Sequence, residues 1–406
     1  MPKEKEENIM KNFILVSPNF PVTYWQFARA LKDVGFRVLA IADCGYNDLH
    51  EEVKRSITEF YHVDNMNNYD DMFRAVAYFS YKYGHIDFIE SNNEHWLRMD
   101  SRLRLDFNIT TGKTINEIDM YQSKSLEKKY YQKAKVKTAR WALPKDSTEA
   151  FKFIGEVGYP VIVKPDIGVG ASSTTKLKNS EDVINFFNNK DDVVYIMEEY
   201  IDGELISFDG ITNDKAEVVF YSNEVFTTPI MDIVNENKDT VYYSNKECPK
   251  DLYEAGKRTL KAFNAYNRYF HLEFFRLKED KEGLGKKGEL LGLETNMRAP
   301  GGFTPDLINF SKSVNTYEIF ADTMMNRYPT YNNSYEKFYC VYASQRYVNS
   351  YMHNREDILN KYRNNIVMHD IMPLNIADDM GNESFVAKFK TIEEAFEFSN
   401  YVIERN

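Results

Sequence analysis

Cysteine is scarce in this 406-residue chain. The three present, Cys44, Cys248 and Cys340, lie far apart and in no metal-ligand pairing. That excludes a disulfide scaffold and suits a reducing compartment. The seven histidines are scattered and neither HExxH nor G-x-S-x-G occurs, so a zinc site has no support. No apolar run reaches membrane-spanning length, and the opening MPKEKEENIMK is too polar for a signal peptide. Positive charge is in deficit, 51 Lys and Arg against 62 Asp and Glu. The net charge of −11 argues against nucleic acid held by a broad basic face. Internal repeats and low-complexity tracts are absent. The expectation is a cytoplasmic protein with no membrane and no nucleic-acid partner, in which a few focused lysines can still hold a small anion.

What is present is enough material for more than one core. Hydrophobic residues make up 43% and charged residues 28%, and Tyr and Phe are abundant, so two or three domains are expected. NFILVS (12–17), FRVLAIAD (36–43) and HIDFIES (85–91) are short apolar runs separated by helical stretches, the pattern of a parallel sheet with covering helices. YQSKSLEKKYYQKAKVKTARW reads as a basic helix and its exit. YPVIVKP, a Gly/Ser/Thr loop (166–175), a helix near 180–189 and VVYIMEEYI follow. Beyond 205 come the strand-like EVVFYSNEVF, RYFHLEFFRLK and GELLGLETNMRA, the last two joined by a charged glycine turn as in a hairpin. After 336 an α+β segment ends in the helix IEEAFEFSNYVIE. The fold class is α/β, α+β overall, and the divisions fall at 1–115, 116–200, 201–335 and 336–406.

Two motif matches are decoys. Gly283-Leu284-Gly285-Lys286-Lys287-Gly288 has the letters of GxGxxG but joins two strands, where no helix N-terminus can face a pyrophosphate. Thr111-Gly112-Lys113-Thr114 has Phe107 where a phosphate loop needs its leading glycine.

Three other elements can carry chemistry. Lys164 ends an apolar strand, and Gly168, Gly170, Ser172 and Ser173 follow at once; small residues let backbone N–H groups approach phosphate while the lysine supplies countercharge. Glu198, Glu199, Tyr200 and Ile201 end the next strand before Asp202-Gly203 and Glu204. Backbone leaving a strand can read an adenine edge, and a carboxylate can accept ribose hydroxyls. Glu273 lies in one strand of the hairpin, and Glu294, Asn296 and Arg298 alternate in the other. If that segment is extended, their side chains share a face. Two carboxylates and an amide are hard oxygen ligands that suit Mg²⁺, or Mn²⁺, on ATP phosphates, with Arg298 bracing a transferring phosphoryl group. Each element alone also has a bland reading, as a surface loop, an acidic strand end or a polar edge strand; their order shifts the balance. His271, in the strand before Glu273, reads as a packed or surface histidine.

In that order the chain resembles the ATP-grasp superfamily of ATP-dependent carboxylate–amine ligases, over residues 12 to about 330. The stretch NMRAPGGFTPDLINFSKSVNTYEIFAD is similar to the subgroup of bacterial L-amino-acid ligases and dipeptide synthases. The resemblance implies three lobes: an N-terminal parallel α/β domain, a small lid and a C-terminal antiparallel lobe. It implies Lys124 and Lys164 as the two phosphate lysines, with Ser123 where the family usually has Asp. It implies Glu198 to Ile201 as the adenine hinge and Glu204 as the ribose acid, with Leu205 at the usual position. It further implies Glu273, Glu294 and Asn296 as metal ligands, Arg298 as the catalytic arginine, and Gly301-Gly302 as the turn beside the acyl group. The implied partners are a small carboxylate and an amine, and enzymes of this size are often homodimers. The rival readings are a biotin-carboxylase-like enzyme, disfavoured by the lack of a biotinylatable carrier segment, and a non-catalytic ATP-binding regulator.

Overall fold

The computed structural model describes residues 10–168, 174–227, 238–329, 331 and 335–406. Four parallel strands form the N-terminal sheet, in the order Glu59–His62, Arg37–Ala42, Asn12–Val16, Phe88–Glu90. Alternate residues of the 12–16 strand bury on opposite faces. Phe13 and Leu15 join the helix Trp25–Asp33 through Phe27 and Leu31, whereas Ile14 and Val16 join Tyr69–Tyr83 through Met72, Val76 and Phe79. Covering on both faces is why these strands read as continuous apolar runs. The edge strand EFYH, missing from the sequence reading, has four residues and only half-buried or exposed side chains, too little for an apolar signal.

A small antiparallel sheet is built from Trp141–Ala142, Tyr195–Glu199, Val161–Pro165 and Thr175–Leu177, backed by the helices Ser147–Val157 and Ser180–Asn189. The third sheet has ten strands. Its path runs 366–371, 383–389, 339–345, 241–244, 224–226, 203–212, 268–277, 290–296, 137–138, with 218–222 also on 203–212. The stretch EVVFYSNEVF is therefore two strands rather than one: Asn223 interrupts it while both halves stay paired to 203–212. The segment after 336 extends the same sheet without a break, through the pairing of 241–244 with 339–345. Residues 124–138 join this large sheet, for 137–138 pairs in parallel with 290–296.

The helix Lys124–Lys133 clamps the hairpin. Lys128 Nζ donates to the Leu293 carbonyl at 2.9 Å, Tyr131 Oη to the Glu294 carbonyl at 3.0 Å, and the Thr295 N–H donates to Glu127 at 3.0 Å. Gly292 permits this approach, because a Cβ there would stand 2.4 Å from the Tyr131 ring. The N-terminal unit is pinned to the same place by a buried ion cluster. Glu90 accepts from Arg104 and Arg268 at 2.8 Å, and Arg268 Nε donates to the Met297 carbonyl at 2.9 Å. Both decoys are loops: 283–288 turns between two strands with positive φ at Gly283 and Gly288, and Lys113 pairs with Glu117. Among the described residues no helix is long and apolar enough to cross a membrane.

Candidate active site

A cleft of about 740 Å³ lies between the small and large sheets, with loops of the N-terminal unit at one end. Strand alternation decides what faces it. Glu273 pairs directly with Glu294, and His271 with Asn296, so the two carboxylates and the amide share one face of the hairpin. Arg298 differs from the sequence reading. The strand ends at Asn296 and Arg298 stands in a bend beyond it, yet its guanidinium folds back to donate to Asn296 Oδ1 at 3.1 Å. All four side chains line the cleft.

Lys164 enters from the small sheet, and Lys124 from the first turn of the helix that clamps the hairpin. Lys124 Nζ donates to the Gly168 carbonyl at 3.1 Å and stands 3.7 Å from Glu294. Ser123, the departure from the family's aspartate, caps the helix and donates to Asp166 at 2.7 Å, so the carboxylate comes from the loop instead. Gly168 lines the cleft; Gly170, Ser172 and Ser173 lie outside the described residues.

The strand end 198–201 lines the cleft, but its carboxylates are already committed. Glu198 is buried between Lys128 at 2.5 Å and Lys164 at 2.9 Å. Burial alone would raise its carboxyl; Lys128 and Lys164 outweigh that and bring it down to about 2. Glu199 pairs with Arg140 at 2.7 Å and Lys281 at 3.0 Å, and Lys281 also donates to the Tyr200 carbonyl. Ile201 belongs to a small apolar cluster with Ala139, Leu277 and Leu291. Glu204 is not brought in. Gly203 and Leu205 point into the cleft, so Glu204 between them points to the other face, where it is exposed.

Three side chains escaped the sequence reading because their partners are remote. His271 lines the cleft as a doubly held imidazole, Nδ1 at 2.5 Å from Asp209 and Nε2 at 3.1 Å from Glu273. Burial would lower it, but Asp209 and then Glu273 push it up to about 9. Lys128, in the basic helix, shares Glu198 with Lys164. Glu94 is half-buried, with Oε2 3.4 Å from Arg298 Nε and no hydrogen-bond partner on that oxygen. Burial first, then Glu294, holds its carboxyl up against the pull of Arg298. Glu294 itself is held down, since Lys124, Lys164, Lys128 and Arg298 together outweigh its burial. Four cations around one carboxylate face can hold polyphosphate with a divalent ion. Among the described residues no cluster of three or more His, Cys, Asp or Glu forms a metal cage. Two carboxylates and an amide fit a Mg²⁺ that takes its other ligands from phosphate and water.

These features define a nucleotide-binding cleft of the two-sheet type. The chain carries an ATP-grasp domain: that domain's sequence profile matches residues 126–266, and the whole fold is the ATP-grasp fold. The L-amino acid ligase of Bacillus licheniformis superposes with a TM-score of 0.70 at 11% identity, over 98% of this chain and 99% of that one. The N5-carboxyaminoimidazole synthetase of Staphylococcus aureus, solved with ADP, gives 0.68 at 15% identity over 96% and 97%. In sequence, the phosphoribosylamine–glycine ligase of Fusobacterium nucleatum is 28% identical over 211 residues, 47% of each protein. The chain thus spans about half of that relative's length, and less of the others it matches.

Proposed function

We propose that the chain is an ATP-dependent carboxylate–amine ligase that works through an acyl-phosphate and releases ADP and inorganic phosphate. The observation that carries the reading is the convergence of Glu273, Glu294 and Asn296 on the hairpin with Lys124 from the clamping helix and Lys164 from the small sheet, Arg298 beside them. Lys124 and Lys164 bind the polyphosphate, and Glu273, Glu294 and Asn296 would hold a magnesium ion. The metal supplies charge neutralisation to the phosphates when bound. Ile201 and Leu205 offer apolar contact to the base, beside backbone at the strand end. The substrate carboxylate oxygen attacks the γ-phosphorus, the bond to the β-bridging oxygen breaks, and ADP leaves. The amine nitrogen then attacks the acyl carbon, phosphate departs, and the nitrogen loses a proton. Arg298 stabilises the charge that develops at the acyl-phosphate. Since no side chain forms a covalent bond, positioning and electrostatics supply the rate.

The acyl donor is an amino acid. Glu94 sets a half-buried carboxylate beside Arg298, ion-paired to it but with no hydrogen bond on Oε2, and an α-ammonium group gives that carboxylate a hydrogen-bonding cation. Incubation with ATP, Mg²⁺ and an amino-acid pool is expected to give ADP and phosphate in equal amounts with amide; stoichiometric AMP refutes the acyl-phosphate route. Bicarbonate-dependent ADP release, without amino acid, would favour the carboxylase reading instead.

A further inference from the structure

The far end of the cleft has no charge chemistry to perform, yet it is built with care. Register places Tyr342, Tyr242, Phe226, Leu205 and Phe275 side by side on five neighbouring strands; all but the buried Tyr342 line the cleft, an apolar floor that runs from the base contact at Leu205 to Tyr242. Tyr242 stacks on Phe226 and on Tyr342, with ring centroids at 5.3 and 4.8 Å. At the Phe275 end the floor meets the Ile201 cluster. At the Tyr342 end it meets the helix Leu374–Met380, whose Ile376 and Met380 line the cleft. That helix is tied at its C-terminal turn. Arg346 donates to the Ala377 and Asp378 carbonyls at 3.3 and 2.8 Å, and Tyr342 Oη donates to the Met380 carbonyl at 2.7 Å. Met380 packs against Gly302, where a Cβ would fall 2.6 Å from its Cε. The apolar wall therefore begins four residues beyond Arg298.

We infer that Phe226, Ile376 and Met380 form a specificity wall that seats an apolar side chain of the carboxylate substrate. This rests on the ligase reading above. An amino acid with its carboxylate at Arg298 and its ammonium at Glu94 has one substituent left, and the apolar lining near Met380 is where it goes. A polar side chain there would lose its water without gaining a partner, and glycine would leave the wall uncovered. The C-terminal segment thus selects the substrate while contributing nothing to the phosphate site.

The test uses the full chain with ATP, Mg²⁺ and hydroxylamine in place of the amine, so that the hydroxamate formed reports the carboxylate alone. Leucine and methionine should exceed glycine in kcat/KM by about ten-fold or more, the discrimination an apolar pocket gives per added methylene group. Aspartate and lysine should fall below both. Met380→Ala and Ile376→Ala should each reduce the leucine-to-glycine ratio several-fold, a ratio insensitive to partial loss of folded protein. An unchanged ratio in both variants, or a wild-type preference for polar side chains, overturns the wall. Absence of hydroxamate and ADP with every carboxylate refutes the ligase reading instead. In that event saturation-transfer NMR with leucine and glycine decides the wall separately: leucine binding lost in Met380→Ala sustains it, and no binding or equal binding overturns it.

Discussion

Glu198 is the side chain whose removal tests the electrostatic reading of the cleft most directly. It is buried with one cation on each oxygen, Lys128 at 2.5 Å and Lys164 at 2.9 Å. A carboxyl brought from 4.5 to about 2 is held in its charged form by roughly 3 kcal/mol, at about 1.4 kcal/mol per pKa unit. Glu198→Gln keeps the shape and deletes the charge. Lys128 is then left buried with the Leu293 carbonyl, and breaking a buried pair in this way costs about 3–5 kcal/mol. The two figures agree, so a loss near 3 kcal/mol is expected in urea unfolding followed through the small lobe. Lys128→Met combined with Glu198→Gln should recover part of that loss, because the double variant buries no orphaned charge. The double-mutant cycle should therefore be non-additive by about 1–2 kcal/mol. The folded-state pKa is depressed, so the stabilisation is present above pH 4.5 and lost as pH falls through about 2. The gap between wild type and Glu198→Gln should close across that window. Additivity within about 0.5 kcal/mol, or a gap independent of pH, would show that the three charges are not coupled as the distances imply.

Three further outcomes are expected. Glu294→Gln should fold normally and lose Mn²⁺ binding in the presence of ADP, measured by electron paramagnetic resonance, together with ligation; retained metal affinity would remove Glu294 from the metal set. Arg298→Ala should lower kcat by about 10²–10³ while the affinity for ADP changes far less, since Lys124 and Lys164 remain; the reverse split in steady-state kinetics and calorimetry would assign Arg298 to nucleotide binding. Gly292→Ala should destabilise the fold by about 1–3 kcal/mol, because its Cβ would meet the Tyr131 ring at 2.4 Å. Tyr131→Leu should rescue part of that in thermal melts, and the absence of any cost would refute the tight approach of helix and strand.

The sequence by itself determined what depends on neighbours along the chain. The two-residue spacing of Glu294 and Asn296 dictates a shared face once the segment is extended, and the strand-end position of Lys164 before a glycine loop is equally local. The N-terminal runs are legible for the opposite reason: a parallel strand covered on both faces is apolar throughout and shows no alternation. The tertiary structure decided whatever depends on register or on remote partners. Glu204 points away because Leu205 points in, and only the pairing of 203–212 with 268–277 says which parity faces the cleft. His271 looked like a packing residue until that pairing set Asp209 beside it, 62 residues away in sequence. Glu198 resembled a hinge carboxylate, and its two lysines arrive from separate elements. Arg298 reaches the Glu294–Asn296 face by folding back from a bend rather than by strand periodicity. The segment after 336 carries no motif of its own; its place in the cleft follows from hydrogen bonds between 241–244 and 339–345. Register is a property of two strands at once, and a single strand's residues do not encode the partner that fixes it.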